Sequence, residues 1–526
     1  MFWPEFSASS ITHALAAAPS LLLLAAGLLP IKRLFANAGS LARAITGLSL
    51  TALALALAAA GFRTFSGSPA AGNLTVAGLQ LPIQADALSL GMLLLVTLLL
   101  AVVLRFSCNS LSGDLNQGAF AQGLARTGGA VAAMTVSGNL LLFALGWVAT
   151  SLFLHGLLTY YPERPAALHA ARRKFVISRM GDLCMAGALF LSWKIFGSWD
   201  FTVLFARVEQ MRTGVVPTEV GWLAALLGAA ALLKSAQLPF HGWLPDTMET
   251  PTPVSALMHA GIINAGGFLV VRLSPLFAAS PRVLDTLALV GAATALFGSV
   301  VMLTQTSIKR ALAYSTIAQM GFMMLECGLG AFALAVVHIF AHSLYKAHAF
   351  LSSGSIVQIS RSAWKPTGRP ASHPGVLFAA LASAASLVAA GVWASGWSLQ
   401  ARTGELLLAT VLAMAVTHLL WNLWSSSHRK ALIAWGCTAA AATVLGYFLL
   451  HAAADHLLKE CLPAYSPDRH PLEYGVMGIV ALLFCAVLVF QEQLPAWGSR
   501  SILRRLYVRT SRGFGPGFTS ALPEQA

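Results

Sequence analysis

Charge is what this sequence has least of. Only 10% of its 526 residues are Asp, Glu, Lys or Arg, against about a quarter in an average soluble domain. Apolar residues make up 57%, and the mean hydropathy is +0.73. Such a chain is neither a water-soluble globule nor a disordered polymer. A single anchor on a soluble domain is excluded as well, because apolar runs extend from one end to the other. The six cysteines (Cys108, Cys184, Cys327, Cys437, Cys461 and Cys485) include no CxxC pair. A disulfide framework, a zinc site and an iron–sulfur cluster therefore find no support. No cleavable signal peptide is expected: the first apolar run, 14–30, has no basic flank ahead of it and Lys32-Arg33 behind it, which suits a retained helix. Acidic residues are fewer than basic ones, 19 against 33, for a net charge of +14. In so apolar a chain that excess points to cytoplasmic loops before nucleic acid.

The chain reads as an all-α, polytopic membrane protein. At roughly 20 apolar residues per crossing, about fifteen spans are expected, near 12–30, 41–62, 86–104, 119–137, 139–160, 174–195, 217–235, 252–271, 283–303, 309–327, 331–357, 375–395, 405–424, 431–452 and 473–495. With the N-terminus outside and the C-terminus cytoplasmic, about 19 basic residues fall on the inside, Arg172, Arg173 and Lys174 among them, and about 8 outside. That asymmetry follows the positive-inside rule. The longest polar connections, 196–216, 358–374 and 453–472, are too short for a catalytic domain. Chemistry is then confined to the membrane or to a partner.

A charge at mid-bilayer costs at least about 2.5–3.5 kcal/mol on insertion scales, so each ionisable residue in a span calls for an explanation. Lys234 is followed by Pro239, which denies a backbone donor and clashes with the preceding turn. A helix broken beside a lysine leaves carbonyls that an ammonium or water can satisfy; the rival reading is a lysine snorkelling to the interface. Asp182 stands three residues after Arg179, as a counter-charge to Lys234 or as a structural ion pair. His338, His342 and Lys346 recur at i, i+4 and i+8, one helical stripe about 12 Å long. Three aligned titratable groups suit a proton relay. They also suit hydrogen-bonded packing, or haem ligation with His259, His155 or His418 opposite. His259 is the one charged or titratable group in its span, and Lys309-Arg310 and Glu326 stand near the two ends of theirs; an interfacial anchor is the plain alternative for Lys309.

Three blocks, KSAQLPFHGWLPDTMETPTPVSALMHAGIINAGG, SIKRALAYSTIAQMGFM and HIFAHSLYKAHAFLSSGS, resemble the proton-conducting antiporter-like family. That family includes the L-type subunit of respiratory complex I and the large Mrp-type antiporter subunit. Upstream, FSCNSLSGD, SGNLLLFALGW, YYPE and SRMGD extend the resemblance over about 85–360. It implies two inverted five-helix repeats with broken helices, each a half-channel. The expected division is N-terminal helices over 1–105, the first half-channel over 106–272 and the second over 283–424. C-terminal helices over 425–495 and a basic cytoplasmic tail over 496–526 complete it. Carried over by position, Lys234 matches the central lysine, His259 the connecting histidine and Lys309 a lysine of the second half. His338, His342 and Lys346 match its relay, Asp182 the carboxylate of the RxGD block and Pro239 the helix break.

Two departures stand out. Val148 occupies the place where the family's fifth span carries a glutamate paired with the central lysine, which leaves Asp182 or His155 to substitute. The stretch Val376 to Gln400 has no Lys, Arg, Asp or Glu, where the family carries a lysine at the end of the second half-channel. With the short tail and the absent lateral helix, these features most resemble DabB-type membrane subunits of inorganic-carbon accumulation complexes. That resemblance implies a proton-conducting (less so sodium-conducting) subunit of a bacterial inner membrane. It would not itself be an enzyme, and it would energise CO2-to-bicarbonate conversion by a cytoplasmic zinc-binding, carbonic-anhydrase-like (DabA-like) partner. No cofactor, metal or nucleic acid is expected; the other neighbour is lipid. The alternatives are a proton-pumping L-type subunit of complex I or a membrane hydrogenase, and a stand-alone cation/proton antiporter.

Overall fold

The computed structural model describes residues 8–28, 37–76, 78–212, 216–305, 307–354, 374–396, 403–426, 430–463 and 471–490. The tail 496–526 and most of the 358–374 connection lie outside the described residues. Two long helices, α1 (Ala8–Leu28) and α2 (Ala38–Ser66), lead into an antiparallel hairpin of β1 (Ala71–Val76) and β2 (Leu79–Gln84). The membrane pattern gave no hint of this hairpin, whose turn uses Gly78 at φ 82°, a left-handed conformation that glycine adopts without a Cβ clash. Then follow α3 (Ala87–Ser110), α4 (Gln117–Thr135), α5 (Leu140–Leu158), α6 (Pro165–Phe196), the short α7 (Phe201–Arg212) and α8 (Thr218–Lys234). Side-chain caps fix several starts. Asn37 closes a capping box with Ser40, and Asp86 and Asn139 accept the free amides of Ser89 and Leu142. Gly197 ends α6 in the left-handed region.

After Lys234 the helix breaks. Ala236 sits at φ 51° and the Leu238–Pro239 bond is cis. The chain then runs through a 3₁₀ turn, the one-turn α9 (Trp243–Asp246) and a second 3₁₀ turn before α10 (Thr252–Ala260). The expected span 252–271 is itself divided: α10 stops at Gly261, a 3₁₀ turn covers Ile262–Asn264, and α11 (Ala265–Arg272) resumes. The Thr252–Arg272 stretch is almost wholly buried, which lets a non-helical backbone persist at membrane depth.

The short α12 (Ser274–Ala278) leads to α13 (Pro281–Thr304) and α14 (Ile308–Gly328), which lie backbone to backbone. A Cβ on Gly291 would stand 2.5 Å from the Leu325 nitrogen, and one on Gly298 2.7 Å from that of Ala318. Gly321 and Gly328 face Ala295 and Ala288 in the same way. Small residues permit such approach in a membrane, where apolar burial offers little drive between helices. The chain continues with α15 (Phe332–Leu351), α16 (Pro374–Ser395), α17 (Thr403–Ser426), α18 (Lys430–Leu458) and α19 (Pro471–Phe490).

Ten helices among the described residues are long and apolar enough to cross a membrane. The other expected spans coincide with α4, α8, α14 and α15, which are shorter or more polar, and with the apolar α19. The chain is thus an all-α, multi-pass membrane protein with broken helices, as the sequence pattern implies. A buried ion pair locks the hairpin end: Arg272 reaches Asp86 with Nη2–Oδ1 at 2.9 Å, and donates to Ser89 Oγ at 2.6 Å. It ties α11 to the start of α3.

Candidate functional site

The titratable side chains singled out by the sequence fall mainly into two groups. The first is built on one face of α5, where Trp147, Ser151 and His155 recur every fourth residue. Lys234, at the last turn of α8, places Nζ 3.4 Å from the Trp147 carbonyl oxygen and 4.4 Å from the centre of its indole. On α6, Arg179 pairs with Asp182 at 2.7 Å, and Asp182 also feels the charges of Lys234 and Lys174. Val148, where the family's glutamate would stand, is an apolar side chain packed against the core. Asp182 in turn acts electrostatically on Lys234.

Lys174 is the residue that sequence reasoning misplaced. It is not a loop anchor but lies inside α6, 3% exposed, where Nζ donates to the Ser151 carbonyl at 2.8 Å and to its hydroxyl at 2.9 Å. Arg179 donates to the same hydroxyl at 3.2 Å. The signal was helical periodicity: Ala167, Ala170, Ala171 and Lys174 are one buried stripe, whereas the charge pattern placed Lys174 with Arg172 and Arg173.

The second group is joined in part by hydrogen bonds. His259, fully buried on α10, meets the Thr316 hydroxyl at 3.0 Å through Nδ1 and stacks on Phe350 at 4.4 Å. The Thr316 hydroxyl donates to the Leu312 carbonyl at 3.0 Å, so Nδ1 must carry the hydrogen in their mutual bond. The same carbonyl accepts from Lys346 Nζ at 3.2 Å. One backbone oxygen thus joins the connecting histidine to the relay lysine. On α15, His338, His342 and Lys346 share the stripe that their spacing predicts. The His338 and His342 ring centres are 6.1 Å apart, and His338 Nδ1 meets Glu326 Oε2 at 2.8 Å. Both ring nitrogens of His342 are buried without a hydrogen bond among the described residues. Lys346, His338 and His259 all act on it electrostatically.

Between the groups lies the broken backbone. Ser235, directly after Lys234, donates to the Ile263 carbonyl at 2.9 Å, and Asn264 donates to Ser343 Oγ on α15 at 2.7 Å. Pro239 marks the break, and Thr294 of α13 satisfies the neighbouring Leu238 amide at 3.1 Å. Lys309 is half-buried in the first turn of α14, three residues from Leu312, with no hydrogen bond seen among the described residues. Of the other histidines considered above, His155 packs on Phe175 and His418 bonds Asn422 on its own helix. No group of three or more His, Cys, Asp or Glu among the described residues is arranged to hold a metal. The arrangement is suited to moving protons along a buried polar line.

The family described as NADH:quinone oxidoreductase/Mrp antiporter, transmembrane region, matches residues 137–365, which contain Asp182, Lys234, His259, Lys309 and the α15 stripe. The probable inorganic carbon transporter subunit DabB2 of Halothiobacillus neapolitanus is 40% identical over 493 residues, covering 92% of this chain and 86% of that protein. The corresponding DabB subunit of Hydrogenovibrio crunogenus is 40% identical over 289 residues, 55% of each chain. NADH-quinone oxidoreductase subunit L of Mycobacterium tuberculosis is 37% identical over 56% of this chain and 46% of its own length. Among solved structures, the Mrp complex from Dietzia aligns with a TM-score of 0.60 at 22% identity, over 95% of this chain and 58% of that one. The archaeal membrane-bound sulfane sulfur reductase gives 0.59 at 17% identity, over 96% and 98%. At those identities the likeness is one of fold.

Proposed function

Since the chain belongs to the DabB family of antiporter-like membrane subunits, we propose that it conducts protons inward across a bacterial inner membrane to energise inorganic carbon uptake. In this reading the N-terminus is outside and the C-terminus cytoplasmic. The path runs through Asp182, Lys234, His259, Lys309, His338, His342 and Lys346, with the first half-channel over 106–272 and the second over 283–424. The observation that carries it is that the Leu312 carbonyl gathers Lys346 and, through the Thr316 hydroxyl, His259, which brings two titratable groups to one buried oxygen beside two helix breaks. Lysine and histidine can each take up and release a proton inside such a bundle.

In this reading the carbonyl chemistry falls to a cytoplasmic, zinc-binding, carbonic-anhydrase-like partner. A proton crossing 100 mV releases about 2.3 kcal/mol. Coupled one to one, that biases CO2 hydration about fiftyfold, 1.4 kcal/mol being tenfold. The partner gates the flow, since an open path would only dissipate the gradient.

The test is growth in air of a carbonic-anhydrase-deficient host expressing the chain with its partner gene. Rescue that is lost with Lys234→Ala, with Lys346→Ala and with an uncoupler is expected. Rescue that survives all three overturns the reading.

A further inference from the structure

The second half-channel, as built so far, stops at Glu326. The next helix, α16, has no Lys, Arg, Asp or Glu from Val376 onward, so nothing on it carries the line to the surface. The C-terminal helices do hold such a line. Tyr447, His451 and Asp455 recur at i, i+4 and i+8 on α18, the same stripe geometry as His338, His342 and Lys346 on α15, and α18 packs against α15. Tyr447 packs against an apolar cluster to which α14 contributes Leu325 and α17 contributes Leu407 and Leu408. Its hydroxyl is buried without a hydrogen bond among the described residues, within electrostatic reach of both Glu326 and Glu405.

His451, 1% exposed, directs its two nitrogens at two carboxylates: Nε2 is 3.5 Å from Glu405 Oε1 and Nδ1 is 3.6 Å from Asp455 Oδ2. Side-chain exposure rises along the series, from 8% at Glu326 to 15% at Glu405 and 33% at Asp455. The far end lies on the face that carries the hairpin: Glu460, just past α18, approaches Arg63 at the end of α2 at 3.8 Å. A purely structural tie between α17 and α18 would need one ion pair. Three carboxylates, a histidine and a tyrosine in an apolar bundle are an expensive way to make it.

We infer that Asp455, His451, Glu405, Tyr447 and Glu326 form the mouth of the proton path on the hairpin face, in place of the lysine that α16 lacks. The inference rests on the conduction reading above. A protonated Asp455 gives its proton to His451 Nδ1 while Nε2–H passes its own to Glu405. Glu405 protonates the Tyr447 oxygen as the Tyr447 hydroxyl releases its hydrogen to Glu326, and Glu326 passes a proton to His338 Nδ1. Rotation of the His451 ring restores its starting tautomer. The two His451 steps, at 3.5–3.6 Å, and the two Tyr447 steps, where no hydrogen bond is formed among the described residues, each need a side-chain movement or a bridging water.

Proton uptake into vesicles carrying the full-length chain with its partner tests this. Glu405→Gln and His451→Ala should each lower flux at least tenfold, and Tyr447→Phe, which deletes one hydroxyl, several-fold. Added imidazole should restore flux to His451→Ala, which repair of a structural contact alone would not do. Flux within twofold of wild type in all three variants, with Lys346→Ala still inactive, overturns the mouth and leaves the conduction reading standing. Loss in His451→Ala that imidazole does not relieve, together with normal flux in Tyr447→Phe, also overturns it. No flux in the wild type above empty vesicles overturns both.

Discussion

Lys174 donates two hydrogen bonds to Ser151, one to its carbonyl and one to its hydroxyl. The arrangement puts a second lysine within electrostatic reach of Asp182 and Lys234. The charges around Lys234 are therefore one carboxylate, Asp182, and two cations, Lys174 and Arg179.

Ser151→Ala should be the more damaging change at this pair. It strips an acceptor from both Lys174 and Arg179 and leaves a buried ammonium short of a partner, costing about 1–3 kcal/mol. Lys174→Met removes the charge together with its need for partners, so it should cost less. Unfolding midpoints of the two variants in detergent decide this; a Lys174→Met protein less stable than Ser151→Ala would refute it.

Thr316 is the hinge of the continuous hydrogen-bonded run. Thr316→Val keeps the shape but removes the hydroxyl that receives His259 Nδ1 and donates to Leu312. Proton flux should fall at least tenfold, whereas Thr316→Ser should keep most of it. Equal flux in the valine and serine variants would show that the hydroxyl carries nothing.

The Asp86–Arg272 pair is a stability element. Asp86→Asn leaves the guanidinium buried without its counter-charge, a loss of about 3–5 kcal/mol. The same change at Glu460, whose side chain is 82% exposed in its 3.8 Å approach to Arg63, should shift unfolding hardly at all. Similar midpoints for the two variants would contradict the burial argument.

The sequence reading located the helix break at Pro239, the carboxylate Asp182 and the stripe on α15, because charged residues in apolar spans are conspicuous. Thr316, Asn264 and Ser343 passed unnoticed, since neutral polar side chains are common in any helix and only tertiary packing tells which of them connect. Lys174 was obscured by its neighbours: charge counting sees three basic residues in a row, while the helix turns the third of them inward. The Tyr447–His451–Asp455 stripe has the same spacing as the relay but lies outside the family blocks, and its meaning depends on Glu326 and Glu405 arriving from other helices. The hairpin alternates weakly and is short, so the apolar pattern on either side masks it.

The glycines between α13 and α14 leave no compressible layer between those helices, so the pair behaves as one stiff plank. Leu312, Thr316 and Glu326 all ride on that plank, and their spacing is fixed with it. Their hydrogen-bond partners arrive from elsewhere, His259 on α10 and His338 and Lys346 on α15, so two separate elements dock their titratable groups onto one stiff rail.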